Sequence, residues 1–149
     1  MQRLTISIDD DLAATFDRLV AEKGYGNRSE AFRDLVRKAL GEEQLSAGKA
    51  KHCVGTLSYV YNHHERSLAE RLTSMQHDHH DLTVSTMHAH LDHDNCIETV
   101  ILRGPTATVT AFAERVMSQT GVRHGKFHPI PVATPGGKKG SHVHLHPHS

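Results

Sequence analysis

The chain has 149 residues, enough for one or two small domains, and an apolar content of 37% that is low for one compact core. Its 17 Lys plus Arg balance 17 Asp plus Glu, so no global basic field points to nucleic acid and a local site must carry any DNA contact. No apolar run approaches the roughly 18 residues that span a bilayer. The N-terminus also lacks a charged region followed by an apolar one, so we expect a soluble, cytoplasmic protein with no membrane partner.

Residues 1–8 alternate: Leu4, Ile6 and Ile8 fall on one face, Arg3, Thr5 and Ser7 on the other, as in a strand. Asp9-Asp-Asp11 can cap a helix whose apolar stripe is Leu12, Phe16, Leu19 and Val20, with Gly24 closing it. Asn27-Arg-Ser-Glu30 then opens a second helix with the stripe Phe32, Leu35, Val36, Ala39 and Leu40. This strand–helix–helix unit has no partner for its strand and too little material to enclose a core. A dimer repairs both faults by pairing two N-terminal strands above four helices. The outer face of that ribbon, Arg3, Thr5 and Ser7, would fit the DNA major groove. A plain edge strand with a polar outer face is the competing reading. Asn27 and Ser29 at a helix start add donors for phosphate.

Residues 41–51 lack an apolar stripe and read as a linker. Beyond it, Cys53–Tyr61 is strand-like. Ser67 with Glu70 resembles a capping box, ahead of a helix carrying Leu68, Leu72 and Met75. Strands follow at about 82–91 and 96–103. A helix after Gly104-Pro105 then turns Val109, Phe112, Val116 and Met117 inward and ends by Gly121. A last strand spans about 122–132, with Pro129 and Pro131 suggesting a ragged edge. The order βαββαβ is that of a ferredoxin-like fold. The expected class is therefore α+β, with units at 1–42 and 52–132, a linker at 43–51 and a flexible tail at 133–149. In that tail His142, His144, His146 and His148 alternate, which suits either a loose secondary metal store or a solubilising end.

Histidine is the one strong compositional deviation, at 15 residues. His88 and His90 stand two apart in the β-rich run 82–91, which places both rings on one face. Asp92-His-Asp-Asn95 reads as a turn, and a hairpin would return Cys96 beside His90. Cys53 and Cys96 could form a disulfide, but a thiolate among imidazoles suits a metal ligand in a reduced setting. Such a donor set fits nickel, copper or zinc; sequence supplies ligand types and no angles. His79, His80 and His93 read as surface polar residues.

Met1-Gln-Arg-Leu-Thr-Ile-Ser-Ile-Asp-Asp, Gly24-Tyr-Gly-Asn-Arg-Ser-Glu-Ala-Phe-Arg-Asp-Leu-Val-Arg37, Gln76-His77, His88-Ala-His90 and Cys96 together resemble the NikR family of nickel-responsive transcriptional regulators, over residues 1 to about 130. The resemblance implies a ribbon-helix-helix DNA-binding domain and an ACT-like ferredoxin domain. It implies one Ni(II) per chain held by His88, His90 and Cys96, with His77 supplied by a neighbouring subunit of a homotetramer built as a dimer of dimers. It further implies a second hard cation at Glu30 and Asp34, base reading by Arg3, Thr5 and Ser7, and phosphate contacts from Asn27, Ser29 and Arg33. The partner would be double-stranded DNA with a palindromic operator, and the outcome repression of nickel-uptake genes. Four protein ligands leave little room for a substrate at a planar metal, so an enzyme is not expected. The chain departs from relatives at Glu22, Glu65 and Asp78, although Arg66 remains beside Glu65. The alternative is a nickel storage or delivery protein working through its tail.

Overall fold

A computed structural model describes residues 3–133 and 146–147. The chain divides into two compact units, Met1–Glu42 and Glu43–Ser149.

In the first unit α1 spans Asp10–Glu22 and α2 spans Arg28–Ser46. The Asp9 side chain accepts from the Leu12 amide at 2.8 Å, so the expected cap forms. Gly24 follows α1 with φ +73, a conformation that costs glycine little. The second start is built by a reciprocal pair: Asn27 Oδ1 accepts from Glu30 N at 2.9 Å while Glu30 Oε2 accepts from Gly26 N at 3.2 Å. Arg28 forks onto Asp17 with two 2.6 Å bonds, pinning the start of α2 to α1.

Arg3–Asp9 forms no strand ladder, in keeping with the expectation that its strand has no partner within its own unit. The helix α2 runs through Ser46, so half of the stretch expected as a linker is helical; Glu, Gln, Leu and Ala favour helix even without an apolar stripe. The apolar stripes themselves stay open: Leu4 is 72% and Leu12 52% exposed, α1 buries no residue, and in α2 only Ala31 is buried.

The second unit is a sheet with helices α3 (Arg66–Asp78) and α4 (Thr106–Met117). Its strands are β1 (His52–Asn62), β2 (Thr83–His90), β3 (Asn95–Pro105), β4 (Arg123–Ala133) and a short β5 (His146–Pro147). The order is β2-β3-β1-β4-β5 with every neighbouring pair antiparallel. The first four strands give the ferredoxin-like arrangement expected from βαββαβ. Period-2 burial decides the faces: Leu57, Tyr59 and Tyr61 on β1, with Cys96, Glu98, Val100 and Leu102 on β3, face inward. Leu68 and Leu72 of α3 and Val109, Phe112, Ala113 and Val116 of α4 complete that core.

The capping box at Ser67 and Glu70 does not form; α3 begins at Arg66 with Glu65 at the cap position and no side-chain cap bond. The edge at β4 is not ragged: Pro129 pairs with Gly55 and Pro131 with Cys53, and the single register shift lies elsewhere, between Ser58 and Val60. Prolines two apart lack N–H groups on the same side of a strand, so a ladder can hold along the other side. The tail is not wholly free, since β5 pairs with Val132 and Ala133. His142, His144 and His148 and the side chain of His146 lie outside the described residues.

Gly55 sits where a Cβ would stand 2.7 Å from Phe127 Cε2 and 2.9 Å from the His128 carbonyl oxygen. The backbone oxygen has nowhere to go. Gly55→Ala should therefore lower stability by about 1–3 kcal/mol, read as an earlier urea midpoint by circular dichroism; an unchanged midpoint would show that the β1–β4 contact yields.

Candidate metal centre

The centre begins with the turn between β2 and β3. Asp92 Oδ1 accepts from the amides of Asp94 at 2.8 Å and Asn95 at 2.7 Å, and both carboxylate oxygens take the Asn95 side-chain amide. Those bonds, the Asn95 side chain first, hold the Asp92 carboxyl below the usual range. A turn fixed in this way sets the hairpin register, and the register pairs His90 with Cys96 and His88 with Glu98. On the other side of β3, Tyr61 pairs with Cys96 and Tyr59 with Glu98. Two parallel rows thus cross three strands.

In the first row Cys96 Sγ lies 3.2 Å from His90 Nδ1 and 3.2 Å from His63 Nδ1. Donor atoms bound to one ion at about 2.3 Å for sulfur and 2.0–2.1 Å for nitrogen stand about 3.1 Å apart at a right angle and about 3.6 Å at a tetrahedral one. The three donor atoms are close enough together that His63, His90 and Cys96 would be able to hold one ion. Burial pushes the Cys96 thiol up, with the charges of Asp92 and Glu98 adding to the rise. Burial, followed by the neighbouring His64 and His90, holds His63 below the ordinary imidazole value and so favours a free nitrogen lone pair.

In the second row Glu98 is a buried carboxylate, 7% exposed. Its Oε1 accepts from Tyr59 Oη at 2.5 Å and from Gln76 Nε2; its Oε2 accepts from Tyr61 Oη at 3.2 Å and lies 3.7 Å from His88 Nδ1. Gln76 also donates to Tyr59 Oη at 3.1 Å and accepts from Thr86 Oγ1 at 2.8 Å. Burial and the Glu98 carboxylate together raise both phenols, Tyr61 to about 12. Both therefore remain donors at neutral pH.

The sequence-predicted ligands are only partly assembled. Among the described residues, two groups of three have donor atoms within 4.8 Å of one another: His63, His90 and Cys96, and His64, His93 and Asp94. His77 and His88 fall in neither. His88 shares a face with His90, their ring centroids 5.1 Å apart, but leans towards Glu98. His77, near the end of α3, lines a groove of about 440 Å³ with Thr73, Gln76, His80, Thr83, Thr86 and Glu98. His63 was not foreseen as a ligand. The signal that could have found it is the pairing of Asn62 with Asn95, which carries the chain leaving β1 past the turn before Cys96.

The predicted DNA contacts Arg3, Thr5, Ser7, Asn27, Ser29 and Arg33 are all exposed. Asn27 already spends its carbonyl on the helix cap. Of the expected cation pair, Glu30 accepts from Gly26 and Asp34 from Tyr25 Oη at 2.5 Å.

Residues 54–130 match the NikR C terminal nickel binding domain, and residues 2–43 match the ribbon-helix-helix protein, copG family. Proteins named nickel-responsive regulator from Brucella abortus biovar 1 and Brucella suis biovar 1 are each 50% identical over 132 residues, spanning 89% of this chain and 100% of theirs. The chain belongs to the NikR family. The corresponding regulator of Brucella melitensis is 49% identical over the same 132 residues. Among solved structures, an uncharacterized protein of Thermotoga maritima aligns with a TM-score of 0.47 and 15% identity, over 52% of this chain and 96% of its own.

Glu98 Oε2 lies 3.7 Å from His88 Nδ1, where it would orient that imidazole behind a metal ion held by His88. Outer partners of this kind typically contribute about 10–100-fold to metal affinity. Glu98→Gln should weaken nickel binding by about that factor at unchanged stoichiometry, measured by chelator competition; an unaltered affinity would remove Glu98 from the site.

Proposed function

We propose that this protein is a nickel-responsive, DNA-binding transcriptional regulator that represses nickel-uptake genes when nickel is bound. The observation that carries the reading is the closed Cys96–His90 pair at the hairpin end, with His77 on another element and out of reach of it. A set that is incomplete in one chain suits an ion held between subunits. His88, His90 and Cys96 of one chain would then be joined by the residue equivalent to His77 in a neighbour, with one Ni(II) per chain. Thiolate and imidazoles supply soft-to-borderline donors suited to that ion.

The exposed stripes of the first unit support the same conclusion from the other end of the chain. Leu4, Ile6, Ile8, Leu12 and Leu40 are each at least 47% exposed, which is the pattern of a face awaiting a second copy. Two copies would pair their N-terminal segments into a ribbon, placing Arg3, Thr5 and Ser7 in the major groove. Asn27, Ser29 and Arg33 would hold phosphate. Two such dimers joined through the metal-binding units make a homotetramer on a palindromic operator. A second hard cation at Glu30 and Asp34 would compete with Gly26 and Tyr25 for those carboxylates.

Nickel acts as an effector here only if it binds the DNA-competent arrangement more tightly, in which case operator DNA tightens nickel binding by the same factor. Fluorescence anisotropy on a palindromic nickel-uptake promoter fragment tests this at fixed salt, because phosphate contacts make affinity salt-dependent. Tight binding should appear near one nickel per chain and be lost in Cys96→Ala. Binding indifferent to both would sink the reading in favour of storage through the tail. On the same fragment Arg3→Ala should cost about 1–3 kcal/mol of discrimination between the guanine that Arg3 reads and a wrong base at that position, with nickel stoichiometry intact.

A further inference from the structure

Beside Cys96 lies the second donor group, His64, His93 and Asp94, all three exposed and with donor atoms within 4.8 Å of one another. His64 Nε2 stands 3.1 Å from the His93 carbonyl oxygen and 3.8 Å from Asp94 Oδ1. The His64 and His93 rings are 5.4 Å apart and tilted. The His64 ring nitrogen thus stands beside a carbonyl oxygen and a carboxylate, a point of negative potential that suits a metal ion.

The two loops that carry these donors are fixed in the protein. His64 N donates to Asn62 Oδ1 at 2.9 Å, and His63 N donates to the Asp94 carbonyl at 3.1 Å, tying the β1–α3 loop to the β2–β3 turn. Asp92 holds the turn from its other side through the amides of Asp94 and Asn95. Little backbone remains to be ordered when an ion arrives, which lowers the cost of binding.

We propose that His64, His93 and Asp94 form a second metal site, taking one divalent ion of borderline character such as zinc, nickel or copper, with water completing its shell. Two imidazoles and one carboxylate disfavour the hard, oxygen-preferring cations. The site has no thiolate, is open to solvent and comes entirely from one chain. It therefore binds more weakly than the Cys96 centre and requires no partner. Its ion cross-links the loop bearing His63 to the turn that precedes Cys96.

The test uses zinc and the full-length Cys96→Ala chain, so its outcome does not depend on nickel regulation. Zinc is counted by equilibrium dialysis for Cys96→Ala and for Cys96→Ala carrying His64→Ala and His93→Ala. Both chains keep the tail, so its histidines cancel in the difference. The expected result is one equivalent fewer in the second chain; equal counts overturn the site. Imidazole NMR of Cys96→Ala supplies a readout without the extra substitutions. The His64 and His93 resonances should move together at the first added equivalent, and shifts confined to other histidines overturn it.

Discussion

The metal-binding unit depends on a carboxylate buried in the middle of its sheet. Glu98 lies on β3, under the helices, where an unpaired charge would be costly. Its two oxygens are satisfied by Tyr59, Tyr61 and Gln76, donors from the neighbouring strand and from α3. That requirement fixes more than one side chain. The β1–β3 register must bring two phenols to one carboxylate, and the last turn of α3 must deliver Gln76. Once those are set, His77 follows Gln76 on α3 and His88 faces Glu98 across the hairpin. The ligand-bearing elements are thus placed by a network that touches no metal itself.

Much of this could be read from the chain because it rests on short-range periodicity. The alternation in β1 and β3, the stripes of α3 and α4, and the turn at Asp92–Asn95 are all local patterns, and they fix the pairing of His90 with Cys96. What stayed hidden depends on pairings between distant segments. His63 becomes a neighbour of Cys96 only because β1 lies beside β3. The cap expected at Ser67 is absent because α3 starts two residues earlier, with Glu65 at the cap position and Arg66 as its first residue. Helix propensity outran the reading of residues 43–46 as a linker. The alternation over Arg3–Ser7 was legible as a strand pattern, but among the described residues nothing pairs with it.

Both units leave something unfinished, and under the proposed function the remedy in each would be another copy. The first has apolar stripes open to water and a strand without a ladder; the second has two candidate ligands, His77 and His88, outside the Cys96 cluster. An exposed apolar stripe of this kind favours association by the ordinary hydrophobic driving force. In the proposed assembly it would supply affinity between copies without depending on metal. A ligand donated across a boundary differs, because it makes the metal's binding energy sensitive to how copies are arranged.

That distinction decides what kind of device the centre is. A ligand of equal affinity for two arrangements shifts neither, however tightly it binds. An ion held only by His63, His90 and Cys96 would meet the same three donors in every arrangement of subunits, since all lie on one chain. It would be bound and silent. An ion that recruits a fourth donor from elsewhere gains that bond in one arrangement alone, and only this difference can be passed on to DNA. Under the proposed function, Cys96 and His90 would thus serve two kinds of ion: one completed by His63 from the β1–α3 loop of the same chain, and one completed by donors that must be brought in.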